Sequence, residues 1–291
     1  MGSDIALVNT FATGNEVAQN TRMAKPADKI STHPAPGITH YEQPLSERMR
    51  TFLRLEFLYH PMIENSEKDD VWATRATIST LLEILAILSR GDVRAEALSE
   101  LDYQIGVLER FKSHDGVDIG QLDKLIENLA ESRKAISKVG TGYLQPLKDC
   151  EFLNAIKHRS AIPGGTCEFD LPEYSHWLRQ SMTRRQQDIA DWLQTVKPLC
   201  NGISELLWLI RESARESEKQ ALNGMYQHTM QKDSSYRLLR VSLPDGSSLF
   251  PEISGSQHRF TVRFLEWSTA VSYTHLRAHE TKTRISDCGV G

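Results

Sequence analysis

Apolar residues recur three and four positions apart through the first two thirds of the chain and then switch to simple alternation. The periodic region opens with Tyr41-Glu-Gln-Pro-Leu-Ser-Glu-Arg-Met-Arg-Thr-Phe-Leu-Arg-Leu-Glu-Phe-Leu58. It predicts a helix that Ser46 caps and whose positive end Glu47 favours. Met49, Phe52, Leu53, Glu56 and Phe57 form the predicted buried stripe, interrupted only by Glu56. Further stripes follow: Ile78, Leu81, Leu82, Leu85 and Leu88, stopping at Gly91; Leu98, Leu101, Ile105 and Leu108; and Leu122, Leu125, Ile126 and Leu129, after the turn His114-Asp115-Gly116. One helix is expected over Leu147 to Lys157. A last region carries Ile189, Trp192, Leu193 and Val196, then Ile203, Leu206, Leu207 and Ile210, with Pro198 predicting a kink or break. Between these helices, Ile162-Pro-Gly-Gly-Thr-Cys-Glu-Phe-Asp-Leu-Pro172 cannot be helical.

After Ala221 the pattern becomes strand-like. Leu238 to Leu243 is followed by the turn Pro244-Asp245-Gly246, where proline sets φ and glycine accepts positive φ. Leu249 to Ile253 contains Pro251 and so reads as an edge strand. In Arg259-Phe-Thr-Val-Arg-Phe264 the period of two puts Phe260, Val262 and Phe264 on one face and Arg259, Thr261 and Arg263 on the other. The expected fold is α+β, a mainly helical N-terminal domain over 41–215 with a small antiparallel β-domain over 216–270.

Both ends differ from this body. Residues 1–40 lack sustained periodicity and read as disordered, or as the product of an upstream start, since Met23 offers a second one. Val271-Ser-Tyr-Thr-His-Leu-Arg-Ala-His-Glu-Thr281 resembles the one-frame translation of a synthetic adapter used in preparing DNA sequencing libraries. The segment 271–291 is therefore expected to be an artefactual tail that leaves the β-domain truncated, with an unpaired edge. On this reading the zinc-like spacing of His275, His279 and Glu280 carries no chemistry.

Composition narrows the function. The 291 residues are 40% hydrophobic and 25% charged, with a formal net charge of −4. An acidic balance argues against a general nucleic-acid binder, and it persists when both ends are set aside. No apolar run approaches the ~20 residues of a bilayer span, and no secretory signal opens the chain, so a cytoplasmic location is expected. The four cysteines have no zinc spacing and read as reduced thiols. There is no P-loop, nucleophile elbow or HExxH, and the Glu212 and Glu216 pair reads as solvated charge. No enzyme activity, cofactor or metal is expected. A Cys167 nucleophile with His158 or His176 is the enzymatic alternative, set against a buried structural cysteine.

The feature with chemical promise is cationic. Arg50 and Arg54 lie one helical turn apart, and planar guanidinium groups match carboxylates. Arg259 and Arg263 share the open face of a strand. Lys157, Arg159, Arg184 and Arg185 are further basic candidates. One combined site would need the first helix, the Lys157–Arg159 region and the last strand to converge. The alternative function is a nucleic-acid-binding module using the same arginines.

Four segments resemble the ZapD family of bacterial cell-division proteins. These are Glu42-Gln-Pro-Leu-Ser-Glu-Arg-Met-Arg-Thr-Phe-Leu-Arg-Leu-Glu-Phe57, the loop Ile162 to Pro172, Leu222-Asn-Gly-Met-Tyr-Gln227, and Phe250-Pro-Glu-Ile-Ser-Gly255 running on through Arg259 to Phe264. The resemblance implies a helical domain joined to a small β-domain, and a homodimer. It further implies binding to the C-terminal peptide of the tubulin-like protein FtsZ, and bundling of FtsZ filaments at the mid-cell division ring. No nucleic acid and no direct membrane insertion are implied. The family's binding positions fall on Arg50, Arg54, Arg259 and Arg263. A histidine position aligns with Ser175, with His176 one place later, and a basic position aligns with Glu151.

Overall fold

A computed structural model describes residues 5–6, 37–114, 117–230, 236–256, 258–267 and 281–289, with 5–6, 215–216 and 281–289 as backbone alone. The fold is α+β. The strands are β1 (Ile5–Ala6), β2 (Ile38–Pro44), β3 (Arg215–Ala221), β4 (Met225–Thr229), β5 (Tyr236–Pro244), β6 (Leu249–Gly255), β7 (Arg259–Glu266) and β8 (Thr281–Gly289). The helices between β2 and β3 are α1 (Glu47–Ser66), α2 (Val71–Leu88), α3 (Val93–Phe111), α4 (Ile119–Lys138), α5 (Gln145–Lys148), α6 (Glu151–Ser160), α7 (Pro172–Leu178) and α8 (Met182–Glu212). Two compact units share them. One takes 1–50, 106–126 and 207–291, and the other takes 51–105 and 127–206. The units thus alternate along the chain instead of following one another.

The first unit holds two sheets. One runs in the order β1-β3-β8-β5-β2 and the other β4-β7-β6, and β7 pairs antiparallel with both its neighbours. The expected alternation holds: Phe260, Val262 and Phe264 are buried and Arg259 and Arg263 exposed. Phe260, Val262 and Phe264 join Leu45, Leu239, Val241 and Leu243 in one core cluster. β6, with Pro251, is an edge strand as its proline predicts. Gly246 takes φ +74° in the predicted turn, and Asp245 there accepts hydrogen bonds from the Gly37 N–H and the Thr39 hydroxyl.

Several expectations are corrected. β2 is a strand absent from the sequence reading, paired along its length with β5. Apart from Ile5–Ala6, which pair with β3, residues 1–36 of the expected extension lie outside the described residues. The segment 271–280 also lies outside them. By contrast, Thr281–Gly289 is not a tail apart from the sheet: its backbone pairs with β3 on one side and β5 on the other. Ladder hydrogen bonds come from the main chain, so this pairing is independent of the segment's origin. Glu212 ends α8 while Glu216 lies in β3, so the two do not share a helix.

The helices, several of which are divided between the two units, bury stripes close to those predicted. In α1 the phase differs. Met49, Phe52, Leu55, Tyr59 and Met62 are buried, Leu53 and Glu56 are half-buried, and Phe57 is 77% exposed. Apolar residues on both sides of this helix allow two stripes by sequence, and packing selects the one through Leu55. The expected helix over 147–157 is two, since Cys150 is extended (φ −71°, ψ 105°) between α5 and α6. Pro198 does not break α8, which runs through it. α2, with mean hydropathy 1.5, is long and apolar enough by composition to cross a membrane, unlike the sequence expectation. Its buried residues Thr77, Ile78, Leu81, Ile84, Leu85 and Leu88 follow the stripe of a core helix.

Candidate functional site

Ser46 starts the first cationic element as predicted, its hydroxyl accepting the Met49 N–H at 3.3 Å. The helix then carries Arg50 and, one turn on, Arg54, which is exposed. Arg50 donates from Nε to Glu47 Oε1 at 3.1 Å. Phe57, three residues beyond Arg54, and Pro61 continue the same exposed face, so cationic positions give way to apolar ones along it.

β7 supplies the second pair. Arg259 and Arg263 are exposed on one face, held apart by Thr261 and backed by the buried phenylalanines. Arg263 Nη2 donates to Glu252 Oε2 at 2.5 Å, across the β6 pairing, with both side chains half-exposed. Among the described residues Arg54 and Arg259 make no ion pair. Each pair is thus assembled by the repeat of its own element. No hydrogen bond or ion pair among the described residues joins one pair to the other.

Lys157 is exposed on α6, and the other basic candidates are engaged locally. Arg159 pairs with Asp170 at 3.3 Å and Arg184 with Asp188 at 3.2 Å. Arg185 is 6% exposed and donates to the Thr74 hydroxyl at 2.6 Å and to Asp69 at 3.2 Å, so it serves the packing of α2 and α8. His176 is exposed on α7, and its Nε2 lies 2.9 Å from the Gln180 amide nitrogen, which donates to it. Glu151 opens α6, a carboxylate in the first turn of a helix, where the dipole favours it. The loop before α7 is fixed from within. A Cβ on Gly165 would collide with the Arg159 carbonyl oxygen and lie 2.9 Å from the Ile162 Cβ. Arg75 closes the loop by reaching the Thr166 hydroxyl at 3.4 Å while lying over the Tyr174 ring. The half-buried Cys167 thiol faces Asp170 at 3.4 Å, and burial pushes the Cys200 thiol up to about 12. Among the described residues no group of three or more His, Cys, Asp or Glu has metal-binding geometry.

One charged cluster escaped the sequence reading. Glu42 on β2 receives both forks of Arg211, each bond 2.8 Å, and is bonded by Arg240 on β5 at 2.8 and 3.1 Å. Burial opposes its charge, but Arg211 and then Arg240 outweigh that, and the carboxyl falls to about 2. A lone carboxylate in a mostly polar strand carries no sequence signal of this. It is a tie within the first unit, not an open receptor.

Comparison with known proteins gives the family. A family model described as "Cell division protein" and named ZapD matches residues 53–263. A cell division protein ZapD of Methylococcus capsulatus is 38% identical over 226 residues, covering 77% of this chain and 88% of its own. That of Nitrosomonas europaea is 33% identical over 227 residues, with 78% and 86% covered. A third, from an Azoarcus species, is 32% identical over 225 residues, with 77% and 89% covered. With the match running from α1 to β7 and so taking in both units, the chain belongs to the ZapD family of cell division proteins.

Proposed function

We propose that this protein binds the C-terminal tail of FtsZ through Arg50, Arg54, Arg259 and Arg263, with His176 as an added contact. As a homodimer in the cytoplasm at mid-cell it cross-links FtsZ filaments and so promotes Z-ring assembly. The observation that carries this reading is the display of two arginine pairs, each on a regular element, by a chain whose net charge is −4. An acidic and apolar peptide suits such surfaces, because the guanidinium groups offer forked donors and the neighbouring Phe57 and Met225 offer apolar contact. Single contacts of this kind are weak and screened by salt. Repetition of tails along a filament and of sites on a dimer raises the overall avidity. No cofactor is needed for cross-linking.

The test is fluorescence anisotropy with a labelled FtsZ tail peptide. Arg54→Glu and Arg263→Glu are each expected to weaken binding about tenfold or more, with helix content unchanged by circular dichroism. Wild-type affinity in both variants defeats the site assignment. Steeply salt-dependent affinity for duplex DNA, exceeding that for the peptide, would transfer the arginines to the nucleic-acid reading.

A further inference from the structure

The open face of the three-stranded sheet carries more than its two arginines. Strand register sets the rest of it. Met225 on β4 stands opposite Arg263, and so does Glu252 on β6, while Phe250 on β6 stands opposite Leu265. Trp267, two residues past Leu265, is 74% exposed, and its backbone N–H is tied to the Ser248 carbonyl at 2.8 Å. Its ring meets that of Phe250 edge-on, with centroids 6.5 Å apart. Met225 is 44% exposed. The other face of β7 already supplies Phe260, Val262 and Phe264 to the core, so this indole is not needed to hold the sheet. A tryptophan left in water against a phenylalanine is an interaction signal, since large aromatic rings dominate binding surfaces and are rarely left uncovered in such company.

We infer that Arg263 with Leu265, Phe250 and Trp267 forms a two-part subsite for an extended peptide bearing a carboxylate and, two residues away, a bulky apolar side chain. This rests on the tail-binding reading above and adds to it the spacing that the ligand must have. Same-face positions repeat about every 6.8 Å along a strand, and an extended ligand has the same repeat. A carboxylate at Arg263 therefore sets the ligand's next same-side residue over Leu265 and Phe250, with Trp267 closing the end. The occupant is acidic because the face is cationic at Arg259 and Arg263. Glu252 engages a single nitrogen of Arg263, and a guanidinium has five N–H donors, which leaves donors for an incoming carboxylate.

The experiment uses the full chain, the labelled FtsZ tail peptide and two short labelled peptides. One carries Asp and Leu two residues apart, and the other carries them adjacent. Trp267→Ala is expected to weaken the first short peptide about tenfold, by a similar factor at low and high salt. Trp267→Phe is expected to keep most of the affinity. Arg263→Gln is expected to produce a loss that shrinks as salt rises. Trp267→Ala binding within about twofold of wild type overturns the subsite, and so does equal affinity for the two spacings. Thermal melts of both tryptophan variants should match wild type, as expected for an exposed side chain. If Arg54→Glu loses the tail peptide while Trp267→Ala does not, only the subsite falls. If wild type does not bind the tail peptide, the tail-binding reading falls and takes the subsite with it.

Discussion

Two of the four arginines assigned to tail binding already hold a carboxylate, Arg50 that of Glu47 and Arg263 that of Glu252. An exposed pair of this kind is worth ~0.2–1 kcal/mol, so these carboxylates act as weak internal competitors for an acidic ligand. Glu252→Gln is therefore expected to tighten tail-peptide binding about two- to fivefold by anisotropy, and a loss of affinity would show that Glu252 positions Arg263 instead. Glu42 is the opposite case, because its side chain is only 18% exposed and is bonded by two arginines. Its folded carboxyl lies at about 2 against an ordinary 4.5. Its contribution is thus complete above the unfolded value and is lost as pH falls toward the folded one. Replacement by glutamine should cost about 3 kcal/mol at neutral pH, because two guanidinium groups lose their counter-charge. Urea melts should also show a variant whose stability depends less on pH between roughly 5 and 3.

The Gly165 loop is rigid by construction, since its glycine faces the Arg159 carbonyl and its far side is held by Arg75. Gly165→Ala should lower stability by about 1–3 kcal/mol, as overpacking does. Differential scanning calorimetry checks it, and an unchanged melting temperature would mean that the loop shifts freely. Such local features were legible in the sequence. Gly246, the alternation of β7 and the stripe of α2 are each set by residues within a few positions of one another. What escaped reading was either degenerate or distant. α1 has apolar residues at 53, 55, 57 and 58, so periodicity allowed two faces, and only packing decided that Phe57 lies outside. β2 reads as Ile-Thr-His-Tyr-Glu-Gln-Pro, with little apolar signal, and its charge is answered by Arg240, 198 positions away. The arginines were found because their spacing is local. Whether distant pairs act on one ligand is a question that spacing does not address.

On the proposed function, a cross-linker must hold two tails at once, so occupancy and bundling are separable properties. The proposed homodimer is expected to bind two tail peptides by isothermal titration calorimetry. A variant made monomeric should keep peptide affinity yet fail to pellet FtsZ filaments as bundles in low-speed sedimentation, and bundling by a proven monomer would overturn the bivalent account. Bundling should also fade with added salt more steeply than single-peptide binding, since several screened contacts act together.

The pairing of β2 with β5 carries a consequence for biogenesis. Thr39 of β2 meets Asp245 across 206 positions of sequence, and α1 to α8 lie between them. On the ribosome β2 emerges before α1–α8 and must wait, with its ladder groups unanswered, until β5 has been made. Closing so long a loop is slow, and a waiting strand is open to mispairing with other nascent chains. Translation halted before β5 would therefore release not a smaller working unit but an aggregation-prone fragment, leaving the cell with all or none of this factor.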